Sequence, residues 1–291
     1  MKKHTYLIIA HNNFYILEKL LLLLDDERND IYIHIDKKVN NFDFDYFENI
    51  CKKSNIKFIK RIKEYWGGYT QVQCELNLLK EAISNDYEYY HLLSGVDLPI
   101  KNQDYIHEFF EKNKGKEFVR FMKSGWDYNR VAKIHLLNNY CKIKNKFKYY
   151  MYIIANKLIS KTINRGNYDY TKKFKKYKFM KGDNWFSITN ECAKYICANE
   201  DNIKNMFKYA ACQDEHFMHT ILYNSRFKEK LSYETCLREI DWNRGTPYTY
   251  KIDDYKLLIS SQNLFARKFD YKIDKNIIDK IYNFLINSNE K

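Results

Sequence analysis

The sequence predicts an α/β protein with a mixed, mainly parallel central sheet flanked by helices. Three observations lead there. The first 120 residues alternate short apolar runs with amphipathic stretches, the pattern of strands covered by helices on both faces. Hydrophobic residues make up 45% of the 291 and aromatics 17%, enough for a sizeable core. Only 2 Pro and 8 Gly occur, too few for long disordered or low-complexity stretches.

In chain order, Tyr6–Ala10 reads as a buried strand, Phe14–Leu24 as a helix and Ile31–Ile35 as a strand. Phe42–Lys53 reads as a helix and Ile56–Ile59 as a strand. Thr70–Ser84 is predicted helical because Val72, Leu76, Leu79 and Ile83 share one face, and Thr70 and Gln73 have capping-box spacing. Tyr89–Leu93 reads as a strand, Gln103–Lys112 as a helix and Glu117–Phe121 as a strand. The stretch 125–180 is basic, aromatic and predicted helical. Beyond it come a strand at Asn184–Thr189 and helices at Glu191–Ala198 and Asp214–Tyr223. The closing helix, Asp274–Ile286, carries an apolar stripe of Ile277, Ile278, Ile281 and Phe284, with Asp274 as its N-cap. Ligands of such sheets sit at the carboxyl ends of the strands. That rule points to Ala10-His11-Asn12, His34-Ile35-Asp36 and Ser94-Gly95-Val96-Asp97.

The seven cysteines are odd in number and form no CxxC pair, so buried free thiols in a reducing compartment are expected. The apolar run at Tyr6–Ala10 is too short for a signal peptide, and no stretch approaches a membrane span. A cytoplasmic location follows as an expectation. Abundant Lys, Asn, Ile and Tyr suggest an AT-rich, bacterial genome. The formal net charge is +13, and residues 142–181 hold thirteen Lys or Arg against one Asp, Asp169. Tyrosines and phenylalanines lie among these charges. Such a patch attracts an anionic leaflet, a phosphate-bearing acceptor or nucleic acid, or is simply a solvated face.

Several residue groups can carry chemistry. Asp36 ends an apolar strand, where a carboxylate can accept hydrogen bonds from a ribose or a base; His34 alternates with isoleucines and reads as a core histidine. A diphosphate is commonly neutralised by a divalent metal on an Asp-x-Asp at a strand end. Asp43-Phe44-Asp45 has that spacing but opens a helix, so complementing the helix dipole is the better reading. The strand with the right ending, Tyr89–Leu93, offers a lone Asp97. Without a metal, positive side chains must do the work, and Arg267-Lys268 is the candidate pair. Asp214-Glu215 supplies carboxylates for a general base. Trp66-Gly67-Gly68, Trp185 and Trp242 offer aromatic faces that stack on sugars or fill cores.

Together these segments resemble the core-2/I-branching enzyme and peptide O-xylosyltransferase family, glycosyltransferase family 14. The matching runs are Leu7–His11, Ile33–Lys37, Trp66-Gly67-Gly68, Leu93–Ile100, Gly182–Phe186, Asp214-Glu215 and Leu264–Phe269, in family order. The resemblance implies a GT-A type fold and an inverting, metal-independent transfer from a UDP-sugar to a hydroxyl of a glycan or lipid-linked glycan. N-acetylglucosamine ranks first as the sugar and xylose second. It also implies a single domain, with a nucleotide-binding half at 1–122, the basic aromatic segment at 123–181 and the acceptor and catalytic half at 182–291. Carried over by position, Ile9 and Asp36 contact the uridine, and Arg267 and Lys268 grip the diphosphate with Arg244 assisting. Glu215 is the base, with Asp183 as the competing carboxylate. Trp242, Asp97 and Trp185 lie toward the acceptor. No cofactor or metal is expected. Peripheral contact of 142–181 with an anionic membrane is expected and nucleic acid is not, although a basic nucleic-acid-binding protein is the non-enzyme alternative.

Overall fold

A computed structural model describes residues 2–137, 145–166 and 168–289. The first half runs β1 (His4–Ala10), α1 (Phe14–Leu24), β2 (Asn29–Ile35), α2 (Phe44–Glu48), β3 (Asn55–Phe58), α3 (Tyr69–Ala82), β4 (Tyr89–Ser94), β5 (Leu98–Pro99), α4 (Gln103–Lys112) and β6 (Glu117–Phe121). The basic segment holds α5 (Asn129–Ala132) and α6 (Lys146–Thr162). The second half continues with β7 (Gly182–Thr189), α7 (Asn190–Ala198), α8 (Glu200–Phe207), α9 (Phe217–Tyr223), β8 (Leu231–Ser232), β9 (Arg238–Ile240), α10 (Tyr255–Ser260), β10 (Phe265–Arg267) and α11 (Lys275–Asn289).

Seven strands form one sheet in the order β3-β2-β1-β4-β7-β6-β8, and β5, β10 and β9 form a second small sheet. The large sheet is parallel from β3 through β4; β7 runs antiparallel to both of its neighbours. This is the mixed, mainly parallel α/β sheet that the sequence leads one to expect. Period-2 alternation divides the core. Tyr6, Ile8 and Ala10 of β1 and Ile31, Ile33 and Ile35 of β2 face one apolar cluster with α1, α4 and α11. Leu7 and Tyr32 face the other, against α3, α7, α8 and α9. Each buried leucine or isoleucine is worth about 1.5–3 kcal/mol, so a charge at Leu79, fully buried on α3, would open the second cluster.

The structure revises three local expectations. The Phe42–Lys53 helix shrinks to α2, because the Asp25 carboxylate accepts the amides of Lys52, Lys53 and Ser54 and bends the chain away. Asp43 caps α2 by accepting the Tyr46 N–H at 3.0 Å, in keeping with its reading as a helix-start residue. Thr70 forms no capping box: α3 is capped at Gly68, and Thr70 Oγ1 accepts the Tyr65 N–H at 2.8 Å. The Asp214–Tyr223 helix breaks at His216 into a single 3₁₀ turn over Gln213–Glu215 followed by α9. Asp274 does cap α11, through the amides of Asn276 and Ile277. Six cysteines are free thiols; Cys141, with Lys142 and Lys144, lies outside the described residues. Among the described residues, no helix is long and apolar enough to cross a membrane.

Candidate active site

The carboxyl ends of β1, β2 and β4 meet at one edge. The Asp36 N–H donates to Ala10 O at 3.0 Å and the Gly95 N–H to Ile9 O at 2.9 Å. Gly95 has no room for a side chain: a Cβ there would lie 2.7 Å from the Ala10 Cβ. The antiparallel register Tyr89↔Thr189 through His91↔Ser187 carries the start of β7 past the end of β4, bringing Asp183, Asn184 and Trp185 to the same edge. Gly182 is equally constrained, since a Cβ would overlap Arg120 O and the His219 ring. The 3₁₀ turn bearing Glu215 packs on α3 and β7, and the Cys212 N–H donates to Gly67 O at 3.2 Å. Thus Trp66-Gly67-Gly68, Asp183–Trp185 and Glu215 converge here, from positions far apart in sequence.

Arg267 ends β10 at this edge. Its guanidinium lies 3.8 Å from the Trp185 ring centroid, and its Nε stands 3.8 Å from Asp97 Oδ1. Nε and Nη1 are buried without a hydrogen-bond partner. Burial holds the Arg267 guanidinium below its ordinary range, with Asp97 opposing that shift. Lys268 is half-buried and has no ion pair among the described residues. Beneath them Arg238, fully buried, donates to Leu92 O and Phe186 O at 2.9 Å each, to Ser187 Oγ at 2.8 Å and to Cys236 O. Among the described residues it forms no salt bridge, and burial lowers it to about 10. Two guanidiniums therefore stand at the strand ends with Asp97 as the nearest counter-charge, a site that favours an anion.

Asp97 is not an acceptor contact. It is fully buried, and its carboxylate accepts the Ser94 N–H at 2.8 Å and the Ser94 O–H at 2.6 Å. Those bonds close the turn after β4, so this carboxylate fixes the strand end. Trp185, also expected toward the acceptor, presents a ring face to Arg267. Trp242 is 52% exposed and free to meet a ligand. Arg244 is neutralised by Asp241 and by Asp254 Oδ1 at 2.7 Å, and it lies over Tyr248 rather than beside Arg267.

Glu215 is partly exposed. Its Oε2 takes both Arg130 Nη1 at 2.8 Å and Lys181 Nζ at 3.0 Å. Asp183, the competing carboxylate, pairs with Arg120 Nη2 at 2.5 Å and accepts the Cys236 thiol; burial raises its carboxyl. Asp214 faces inward. Burial, then the neighbouring Glu215, pushes its carboxyl up to about 7, and burial and Asp214 raise Glu75 on α3. Of the Asp214-Glu215 pair, Glu215 is the carboxylate held in ion pairs at this edge, whereas Asp214 Oδ1 is buried without a partner.

Where the uridine is expected, Ile9 is half-buried on β1 and Asp36 nearly buried. Asp36 Oδ1 accepts the Lys38 N–H at 2.9 Å, and Oδ2 pairs with Lys38 Nζ at 3.1 Å. A ribose or base reaching Oδ2 must displace the exposed Lys38 ammonium. His34 is a fully buried core histidine, as read. With Glu64 and Cys74 it offers ligand atoms within 4.8 Å of one another. The ring has no free lone pair, however. Nε2 accepts the Ile62 N–H at 3.0 Å, which puts the ring proton on Nδ1. The donor set is not prepared for a cation.

The sequence reading missed Arg130, Arg120 and Arg238 and counted Lys181 only as part of a basic surface. For Lys181 a signal existed: it directly precedes Gly182-Asp183. For Arg238 the flanking Leu237 and Ile240 hinted at a buried strand.

The model of the core-2/I-branching enzyme family matches residues 5–260. Xylosyltransferase 2 from rat is 23% identical over 94% of this chain, and the human protein 22% over the same share. The xylosyltransferase of Ciona intestinalis is 20% identical over 95%. The chain spans about a third of the length of these curated relatives, 33% in each case. The apo crystal structure of mouse xyloside xylosyltransferase 1 aligns with a TM-score of 0.39 at 9% identity, covering 91% of this chain and 97% of that one.

Proposed function

The chain belongs to the core-2/I-branching enzyme family, and from that premise we propose that it is an inverting, metal-independent glycosyltransferase. It moves a sugar from a UDP-sugar to a hydroxyl of a glycan acceptor. The observation that carries the proposal is the charge arrangement at the sheet edge. Arg267 holds two unpartnered guanidinium donors, and Lys268 follows it. Glu215, a carboxylate with one oxygen committed to Arg130 and Lys181, belongs to the same edge. A departing diphosphate needs the first group and an attacking hydroxyl needs the second.

In the proposed step, Glu215 takes the acceptor hydroxyl proton through Oε1 while Arg130 and Lys181 hold Oε2. The acceptor oxygen bonds to the anomeric carbon from the face opposite UDP. The bond from that carbon to the β-phosphate oxygen breaks, and its electron pair leaves on UDP. Arg267 and Lys268 neutralise the charge that develops there, while the Trp185 ring and Asp97 keep the Arg267 guanidinium oriented. Positioned general bases supply about 10²–10⁴ in rate, and fixed charge-stabilising donors about 10²–10³ each. Ile9 and Asp36 form the uridine side, and Trp242 offers an exposed face to the acceptor sugar.

N-acetylglucosamine is the first reading of the donor sugar, from the Asp214-Glu215 pattern of the branching enzymes. Xylose is the second, favoured by relatives named xylosyltransferases and by the Ala266-Arg267-Lys268-Phe269 run. The test is UDP release from UDP-N-acetylglucosamine, UDP-xylose and other UDP-sugars, with a GDP-sugar as control. Release from at least one UDP-sugar and none from the control is expected. A protein that neither binds UDP nor releases it contradicts the proposal.

A further inference from the structure

Helix α6 is poorly supported by the rest of the fold. Its seventeen residues, Lys146–Thr162, include none that is buried. An isolated helix of that length is marginal in water. Asn145 caps its start by accepting the Lys148 N–H at 3.0 Å. Its far end is clamped by Asn164, whose side chain accepts the Ile134 N–H at 2.8 Å and donates to Ile134 O at 2.9 Å. Tyr152, Ala155, Asn156 and Ile159 are half-buried along one side. The opposite side carries Phe147, Tyr150, Met151, Ile154 and Leu158, spaced as one helical stripe. These are large and exposed, Phe147 at 73%, Tyr150 at 61% and Leu158 at 59%. Lys146, Lys157 and Lys161 fall along the edge of the stripe.

We propose that α6 lies in the plane of an anionic lipid surface, with this stripe among the acyl chains and its lysines at the headgroups. The combination of features selects the occupant. A second copy of the chain would bring one segment of thirteen cations and a single Asp against another, which repels. Nucleic acid would satisfy the lysines, but Met151, Ile154 and Leu158 have no ring to stack on bases, and phosphates would leave them wet. A lipid surface takes both: apolar burial for the stripe and anionic headgroups for the lysines.

The docked helix has a consequence for the reaction. Its clamp, Ile134, is four residues from Arg130, whose guanidinium holds Glu215 at 2.8 Å. A docked α6 therefore brings the candidate base close to the lipid surface, which suits an acceptor carried on a lipid. This last step rests on the function proposed above; lipid binding itself does not.

The experiment is vesicle co-sedimentation of the whole chain with phosphatidylcholine alone and with an equal mixture of phosphatidylcholine and phosphatidylglycerol. Binding to the mixture and little to phosphatidylcholine is expected. Joint replacement Phe147→Ser, Ile154→Ser and Leu158→Ser should weaken binding to the mixture by about tenfold or more, with circular dichroism and UDP release in the absence of vesicles unchanged. Binding that survives the triple replacement overturns insertion of the stripe. Equal binding to both vesicle types overturns the anionic requirement. Failure to bind the mixed vesicles, coupled with concentration-dependent dimers or tight binding to a DNA oligonucleotide, assigns the face to another partner and overturns the proposal. Loss of UDP release with vesicle binding intact would refute the proposed function and leave this inference standing.

Discussion

Replacing Arg267 with methionine should separate stability from activity, because the arginine is poorly served by its own fold. Its guanidinium gains a cation–π contact with Trp185 at 3.8 Å, worth about 2 kcal/mol when desolvated. Its attraction to Asp97 at 3.8 Å is about 4 kcal/mol at a dielectric of about 20. Against these stand two orphaned donors, Nε and Nη1, at about 1–3 kcal/mol each, and a desolvation cost of several kcal/mol for a buried cation. The terms nearly cancel. Asp97 also keeps both Ser94 hydrogen bonds in the variant. Arg267→Met should therefore melt close to the parent protein, within about 2 kcal/mol. Activity should behave differently: loss of one fixed donor to the leaving group predicts a fall in kcat/KM of about 10²–10³. The assay pairs steady-state UDP release with thermal melts with and without UDP. A saturating ligand stabilises by mass action, about 2.7 kcal/mol at a hundredfold excess over Kd, and the variant should lose most of that gain at the same UDP concentration. A variant that is strongly destabilised yet keeps its kcat/KM and its UDP-induced shift would refute the reasoning, because Arg267 would then be a structural residue.

Other outcomes are equally specific. Glu215→Gln should lower kcat by about 10²–10⁴ with UDP binding retained in calorimetry, whereas Asp183→Asn should keep turnover; the reverse pattern moves the base to Asp183. Turnover should be unchanged in excess EDTA, and a loss restored by added manganese would contradict metal independence. Glu117 is buried beneath the Thr189 amide and hydroxyl, and burial raises its carboxyl from 4.5 to about 7. The folded state thus binds this proton more tightly than the unfolded one. The resulting stability is fully present below pH 4.5 and is lost as pH rises through about 7, at about 1.4 kcal/mol per unit. In urea unfolding, the advantage of the parent over Glu117→Gln should shrink by about 2 kcal/mol between pH of about 5.5 and about 7.5; a constant difference contradicts the assignment.

Much of the fold is legible in the sequence where burial imposes a period. In β1 and β2 the two faces of the strand enter two different cores, so nearly every position is apolar and the run stands out. Helix α4 was readable to the residue because its apolar stripe and Asn102 cap are local. Elements that depend on distant partners were not. Strands β5, β9 and β10 are two or three residues long and exist only through one another. The Phe42–Lys53 helix stops early because Asp25, a residue outside it, claims its backbone.

The site follows the same division. Asp36 and Glu215 were visible as carboxylates at a strand end and a helix start. The pairing of Asp97 and Trp185 with Arg267 was not, since Arg267 arrives from β10 some 80 or more residues later. Arg238 stands among apolar neighbours in sequence, but only its reach from β9 to the Leu92 and Phe186 carbonyls turns it into a buried, hydrogen-bonded cation.

The central claim is a single displacement in which a hydroxyl, deprotonated at Glu215, attacks a UDP-sugar at the carboxyl edge of the sheet. The anomeric configuration of the first-formed product, read by proton NMR during turnover of an α-linked UDP-sugar, tests it most directly. The account predicts a β-linked product, with none formed by Glu215→Gln. An α-linked product would require two displacements or a front-face path, and would contradict it.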